Sequence, residues 1–211
     1  MKIKLLGIGA MVVLMLLSSS AFAAEGFQFA LGIGPLFPTM NGEAIEAIDP
    51  QTGYAVELNV GYGFTEQLYA GLYYGAGAGD ASDDWDKNAA WGNGYLGFLG
   101  KYSLLKKSDY TPYLELGLHN SVFSTVGDNH EFVSDPGLGA LAGLGMDYFL
   151  GSRHRIMLST DLSYRTSHHR RGQVDLDPGP TYTVNFNANT AAVLLLFKLG
   201  YVWRPRPLPE Y

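Results

Sequence analysis

A two-residue rhythm of oily and small-or-polar side chains constrains the fold of this chain more than any other feature. Tyr54, Val56, Leu58, Val60, Tyr62 and Phe64 share one parity, and Ala55, Glu57, Asn59, Gly61 and Gly63 share the other. Successive side chains of a β-strand point to opposite faces, so such a stretch is a ribbon with one oily side. Wound into a helix, the same residues would scatter their apolar groups around the whole surface.

The rhythm recurs over residues 27–34, 54–64, 68–75, 95–102, 113–119, 138–148, 155–164 and 192–203. Most of these eight segments approach the ~9–11 residues that a tilted strand needs to cross a bilayer. The fourth and sixth carry the weakest signal, because small or apolar residues occupy both parities. The connections sort by length. Short links fall at Thr65–Gln67, Leu104–Tyr110 and Gly151–His154. Long ones fall at Pro38–Gln51, Gly79–Ala90, Asn120–Asp135 and Thr166–Asn185. Alternating short and long links are the habit of outer-membrane barrels, whose periplasmic turns are short and whose outside loops are long. The pattern predicts an all-β fold, an eight-stranded antiparallel up-and-down transmembrane β-barrel.

The parity opposite the oily one supports this. It is rich in glycine, tyrosine and serine, and it carries Glu57, Glu115, Asp147 and Asp161 against Lys101, Arg155, Arg165 and Lys198. An eight-stranded barrel has an interior that side chains can just fill. A buried charge without a partner is strongly disfavoured, so four acids facing four bases form the expected lumen charge network. Aromatic residues near segment ends, among them Phe27, Tyr62, Phe64, Tyr102, Tyr148, Tyr164, Tyr201 and Trp203, suit interfacial girdles.

The first residues carry an export signal. Lys2 and Lys4 precede an apolar run from Leu5 to Leu17, and Ala21-Phe22-Ala23 offers a small-residue cleavage site. The expected organisation is a signal peptide over 1–23, a barrel over 24–204 and a short proline-rich tail over 205–211. This organisation predicts export through the periplasm to the bacterial outer membrane. There is no cysteine, so neither a disulfide framework nor thiol chemistry is available. The 27 glycines and 14 tyrosines argue against a helical domain. A net charge of -6 argues against wholesale nucleic-acid binding.

The passages Phe64-Thr65-Glu66-Gln67-Leu68-Tyr69-Ala70-Gly71, Tyr110-Thr111-Pro112-Tyr113-Leu114-Glu115-Leu116-Gly117 and Gly143-Leu144-Gly145-Met146-Asp147-Tyr148 resemble the OmpA/OmpX-like β-barrel family. The resemblance implies a monomer among outer-membrane lipids and lipopolysaccharide, inserted by the barrel-assembly machinery. Many such proteins end on an aromatic residue of the last strand. Here Trp203 is followed by Arg204-Pro205-Arg206-Pro207-Leu208-Pro209-Glu210-Tyr211, whose prolines cannot continue a paired strand.

Three function classes follow. The first is a barrel with a structural or surface-interaction role, no catalysis and no cofactor. The second is a lipid A acyl hydrolase. His119-Asn120-Ser121 resembles the His-x-Ser of outer-membrane lipid A deacylases, which implies His119 as base, Ser121 as nucleophile and Glu131 as a third member. Val122-Phe123 replace the residues that extend that motif. The third is a narrow porin-like channel. No metal site is expected. Asp80–Asp86 resembles a calcium loop, but Trp85 stands where the loop needs glycine and Trp91 where it needs glutamate. His168-His169-Arg170-Arg171, in the longest predicted outside loop, reads as an exposed loop patch, with contact to lipopolysaccharide phosphates as the alternative; adjacent histidines point apart and rarely chelate one ion.

Overall fold

The structure is a computed structural model describing residues 26–42, 48–65, 67–83, 89–105, 110–128, 130–150, 156–176 and 178–203. The expected signal peptide, Arg155 and the tail lie outside the described residues, as do residues 84–86 of the acidic Asp80–Asp86 segment. The strands are β1 (Gly26–Gly42), β2 (Ile48–Pro50), β3 (Gly53–Gly63), β4 (Leu68–Asp83), β5 (Ala90–Ser103), β6 (Tyr110–Val126), β7 (His130–Ser134), β8 (Gly137–Leu150), β9 (Ile156–Leu176) and β10 (Thr181–Trp203).

Each long strand pairs antiparallel with its neighbours in sequence, and β10 returns to pair with β1. That last ladder runs from Phe27 opposite Trp203 to Gly42 opposite Ala188 and closes the sheet on itself. β7 and β8 together occupy one place in the ring, both lying between β6 and β9. Asp135 and Pro136 separate them; proline has no N–H for the ladder, while Asp135 N–H still bonds Arg171 O. Counted this way the ring has eight strands. β2 is a short addition along the outer end of β4.

Alternation sets what faces where. Phe98, Leu116, Leu118 and Leu138 point outward and are 72%, 69%, 62% and 69% exposed. Their neighbours of opposite parity, Leu99, Glu115, His119 and Gly139, are buried inside. Aromatic rings cluster at the short-turn end of the outer face. Tyr62 meets Phe27 and Phe64 edge-on, both at 5.3 Å, and Tyr110 stacks on Tyr148 at 4.6 Å.

The interior is filled by long side chains lying across glycines of neighbouring strands. A Cβ added to Gly75 would sit 2.4 Å from the Tyr95 ring, one at Gly145 2.5 Å from Tyr113, and one at Gly32 2.6 Å from Lys198. Gly97 of β5, whose added Cβ would lie 2.8 Å from Tyr73, and Gly145 of β8 are among the small residues that weaken those strands' sequence signal, and both make room for tyrosines. This is the packing by which a narrow barrel reaches the density of a core.

One expectation is corrected. Much of the long links is strand: β6 continues to Val126, β7 covers His130–Ser134, β9 runs to Leu176 and β10 begins at Thr181. His168–Arg171 therefore lies within β9 rather than in a loop. Hydropathic alternation reveals a strand only where one face is oily. Beyond the apolar band the outward residues turn polar while the hydrogen-bonded ladder continues, so the rhythm disappears before the strand does.

Gly75→Ala should destabilise the barrel by about 1–3 kcal/mol, the usual range for overpacking. Urea unfolding of the refolded protein in lipid vesicles measures it. Pairing the change with Tyr95→Val should recover part of the loss, whereas simple additivity would show that the ring–glycine contact is unimportant.

Candidate functional site

The charged residues of the inner face converge from strands far apart in sequence. Glu57 on β3 is the centre. Its carboxylate accepts hydrogen bonds from Lys198 Nζ at 2.9 Å, Asn59 Nδ2 at 2.9 Å and the Arg165 guanidinium. Lys198 on β10 also pairs with Asp161 on β9. All four charged side chains are almost completely buried. Arg165 lies over the Tyr95 ring at 4.4 Å and the Tyr73 ring at 5.2 Å, a cation–π arrangement strengthened by burial.

Nearer the short-turn end, Lys101 Nζ sits over the Tyr113 ring at 4.2 Å, and Tyr69 lies 5.8 Å away. Asp147, Glu115 and Asp161 are the carboxylates that act on it electrostatically. Among the described residues, neither Glu115 oxygen has a hydrogen-bond donor. Seven members of the expected lumen network thus lie inside the ring: Glu57, Lys101, Glu115, Asp147, Asp161, Arg165 and Lys198. Arg155, the eighth, lies outside the described residues.

Toward the other end the interior becomes a lattice of hydroxyls and imidazoles. The Tyr73 hydroxyl meets His119 Nδ1 at 2.7 Å, and the Ser167 hydroxyl meets His119 Nε2 at 2.9 Å. His169 Nδ1 faces Ser134 Oγ at 3.1 Å and the Asp135 carbonyl at 3.3 Å. Its Nε2 faces Thr190 Oγ1 at 3.3 Å and Ser121 Oγ at 3.4 Å. Ser134 Oγ also accepts the Phe123 N–H at 2.8 Å.

His119, Ser121 and Glu131 are not brought together. His119 and Ser121 share the inner face, but the hydroxyls beside His119 are those of Tyr73 and Ser167, and the imidazole beside Ser121 is His169. Glu131 is exposed on β7, opposite Asp175. A serine hydrolase requires nucleophile, base and orienting acid in one hydrogen-bonded line, and these three residues do not form it. A cavity of about 30 Å³ bordered by Trp91, Tyr95, His119 and Arg165 offers little beyond the volume of a water. No group of three metal-ligating side chains occurs among the described residues.

Sequence reading missed His169, Ser134 and the interior tyrosines. Tyr69, Tyr73, Tyr95 and Tyr113 all stand at inward parity, so the rhythm contained the signal. His169 and Ser134 lay in stretches whose rhythm had faded.

Truncating Glu57 to alanine leaves Arg165 and Lys198 buried with little compensation. The expected cost is about 3–5 kcal/mol, read from the urea midpoint in vesicles; a loss below ~1 kcal/mol would show that the network relaxes around the gap.

His169 lies beyond the apolar band, since its outward neighbours His168 and Arg170 are polar. Burial holds its imidazole pKa below the ordinary value, against the opposing contact with the Asp135 carbonyl. The unfolded chain then binds the extra proton first, so stability is full above about pH 6.5 and falls as the pH drops below that. Between pH 7.5 and 5.5 the wild type should lose more stability than His169→Gln; equal losses would refute the assignment.

No protein-family model matches the chain, and no curated protein matches its sequence. Solved structures do. Neisserial surface protein A (NspA) superposes with a TM-score of 0.55 at 14% identity, over 84% of this chain and 97% of that one. The outer membrane protein OprG from Pseudomonas aeruginosa gives 0.60 at 14%, over 85% and 97%. A major outer membrane protein from Thermus thermophilus gives 0.63 at 17%, over 86% and 100%. At such identities the shared property is the fold: this chain is an eight-stranded antiparallel β-barrel of the small outer-membrane type, the architecture its OmpA/OmpX-like resemblance implies.

Proposed function

We propose that the chain is an outer-membrane barrel whose role is structural or surface-directed, with a plugged interior and no catalysis. The observation that carries this reading is the inversion of polarity across its wall. Outward side chains form an apolar band, and inward ones form a network centred on Glu57, Arg165, Lys198 and Asp161. A soluble barrel buries its apolar face and wets its polar one. A bilayer requires the reverse, together with closure of every backbone hydrogen bond, and the β1–β10 ladder supplies that closure.

The neighbours named above are outer-membrane proteins, which supports the same location for this chain. Export through the periplasm and handling by the barrel-assembly machinery follow from that location and from the signal-like first residues. The barrel is proposed to act as a monomer, with outer-membrane lipids and lipopolysaccharide as its immediate surroundings.

Interior packing favours the plugged reading over the channel. The tyrosines that cover Arg165 and Lys101 lie across the lumen, and opening a path would separate the central ion pairs and leave buried charges uncompensated. The buried hydroxyl–imidazole contacts serve here to satisfy polar groups, not to reach an acyl chain.

The purified protein, refolded into phosphatidylcholine vesicles, should migrate as a compact band in unheated gels and resist protease across its strands. In planar bilayers it should produce no regular conductance steps. A stable water-soluble monomer would overturn the membrane reading, and steady unitary currents would overturn the plug.

A further inference from the structure

We infer that Arg170 and Arg171 form a binding site for the phosphate group of an anionic membrane lipid, at the outer rim of the apolar band. This rests on the membrane reading above.

A break in the strand rhythm carries the argument. Along β9, Arg165, Ser167 and His169 face inward, so continued alternation would turn Arg171 inward as well. It does not. Between the pairs Asn185–Arg171 and Ala188–His169, β10 contributes Phe186 and Asn187 against Arg170 alone. This is a β-bulge, which re-aims side chains by inserting an extra residue on one strand. Opposite this bulge, and opposite the outward Asp135 and Pro136 that separate β7 from β8, the alternation of β9 skips a step: Arg170 and Arg171 are both exposed, and Gly172 resumes the inward position. The inward turn is filled, since a Cβ at Gly172 would meet the Phe132 ring at 2.5 Å.

The height of the site selects the ligand. Outward residues of β9 are apolar or small from Ile156 to Tyr164, and polar from Thr166 on. His168 pairs with Leu138, an exposed residue at the band's edge. At ~3.3 Å per residue and a ~40° tilt, His168 stands roughly 10 Å above Tyr164 along the barrel axis, with Arg170 about 5 Å higher. Long guanidinium side chains can reach down from there to the plane where lipid phosphates lie.

Local chemistry agrees. His168 Nδ1 faces Asn189 Oδ1 at 2.9 Å, and Arg170 Nε approaches His168 Nε2 at 3.4 Å. Asn185, Asn187 and Asn189 on β10 are exposed beside the arginines and add neutral donors. Asp135 is exposed on the neighbouring segment, and Glu131 and Asp175 face each other farther out. Arginine binds phosphate oxygens through a planar fork of N–H donors, which lysine lacks.

The test uses the full mature barrel in phosphatidylcholine nanodiscs containing bisphosphorylated or dephosphorylated lipid A, with retained lipid counted by native mass spectrometry. Wild type should retain the bisphosphorylated form in preference. Arg170→Gln/Arg171→Gln should lose roughly tenfold of that preference, and Arg170→Lys/Arg171→Lys should fall between. Equal retention by wild type and the glutamine variant would overturn the site. So would full competition by millimolar inorganic phosphate, which would mark a free-anion site, or binding of a sulfated polysaccharide in place of lipid A. Compact migration in unheated gels reports insertion separately. A barrel that never inserts refutes the membrane reading, whereas one that inserts without discriminating refutes this site alone.

Discussion

Closure of the backbone ladder is the constraint on which the rest depends. A sheet in contact with hydrocarbon has no water to satisfy an open edge, so the first and last strands must meet. The pairing of β1 with β10 accomplishes this. Once the ring is shut at eight strands, its bore is fixed at about the width of side chains reaching inward from opposite walls. The composition of the inner face then follows as a filling problem. Tyrosines and long charged residues span the bore, and glycines on adjacent strands receive them, as Gly75 receives Tyr95 and Gly32 receives Lys198.

The charges inside are the second consequence of closure. An apolar filling would satisfy packing equally well, and buried ion pairs often add little net stability over well-packed hydrophobes. What they do add is directionality. Glu57 engages groups from β9 and β10, joining strands that lie apart around the ring. Such a tie resists sliding of one strand past another, because a one-residue slip would carry every charged group to the lipid side.

Much of this was legible in the sequence, and the boundary of legibility has a physical cause. Where lipid faces the wall, outward residues are oily, and parity read from Tyr54 to Phe64 gives strand, face and interior residue together. The same parity places Glu57, Lys101 and Lys198 inside. Above the band the outward residues face water instead of lipid while the inner face stays filled, and β7 and the outer part of β9 lose the oily outward parity that marks a strand. His169, Ser134 and the bulge at Arg170 all lie there. Pairings across the bore, such as Ser121 with His169, depend on stagger between strands, which no single stretch of sequence encodes. Local spacing therefore suggested His119 for Ser121, and the three-dimensional register chose otherwise.

The seam between β1 and β10 also bears on how the molecule comes to exist. Phe27 and Trp203 are cross-strand partners although nearly the whole polypeptide separates them. The hairpins from β3 to β9 can zip up neighbour by neighbour, but that contact forms only after the distant ends find each other. Assembly is thus dominated by one very non-local event, the sort of topology that folds slowly. Until that event the nascent wall offers two raw margins, each a template for pairing with any passing strand.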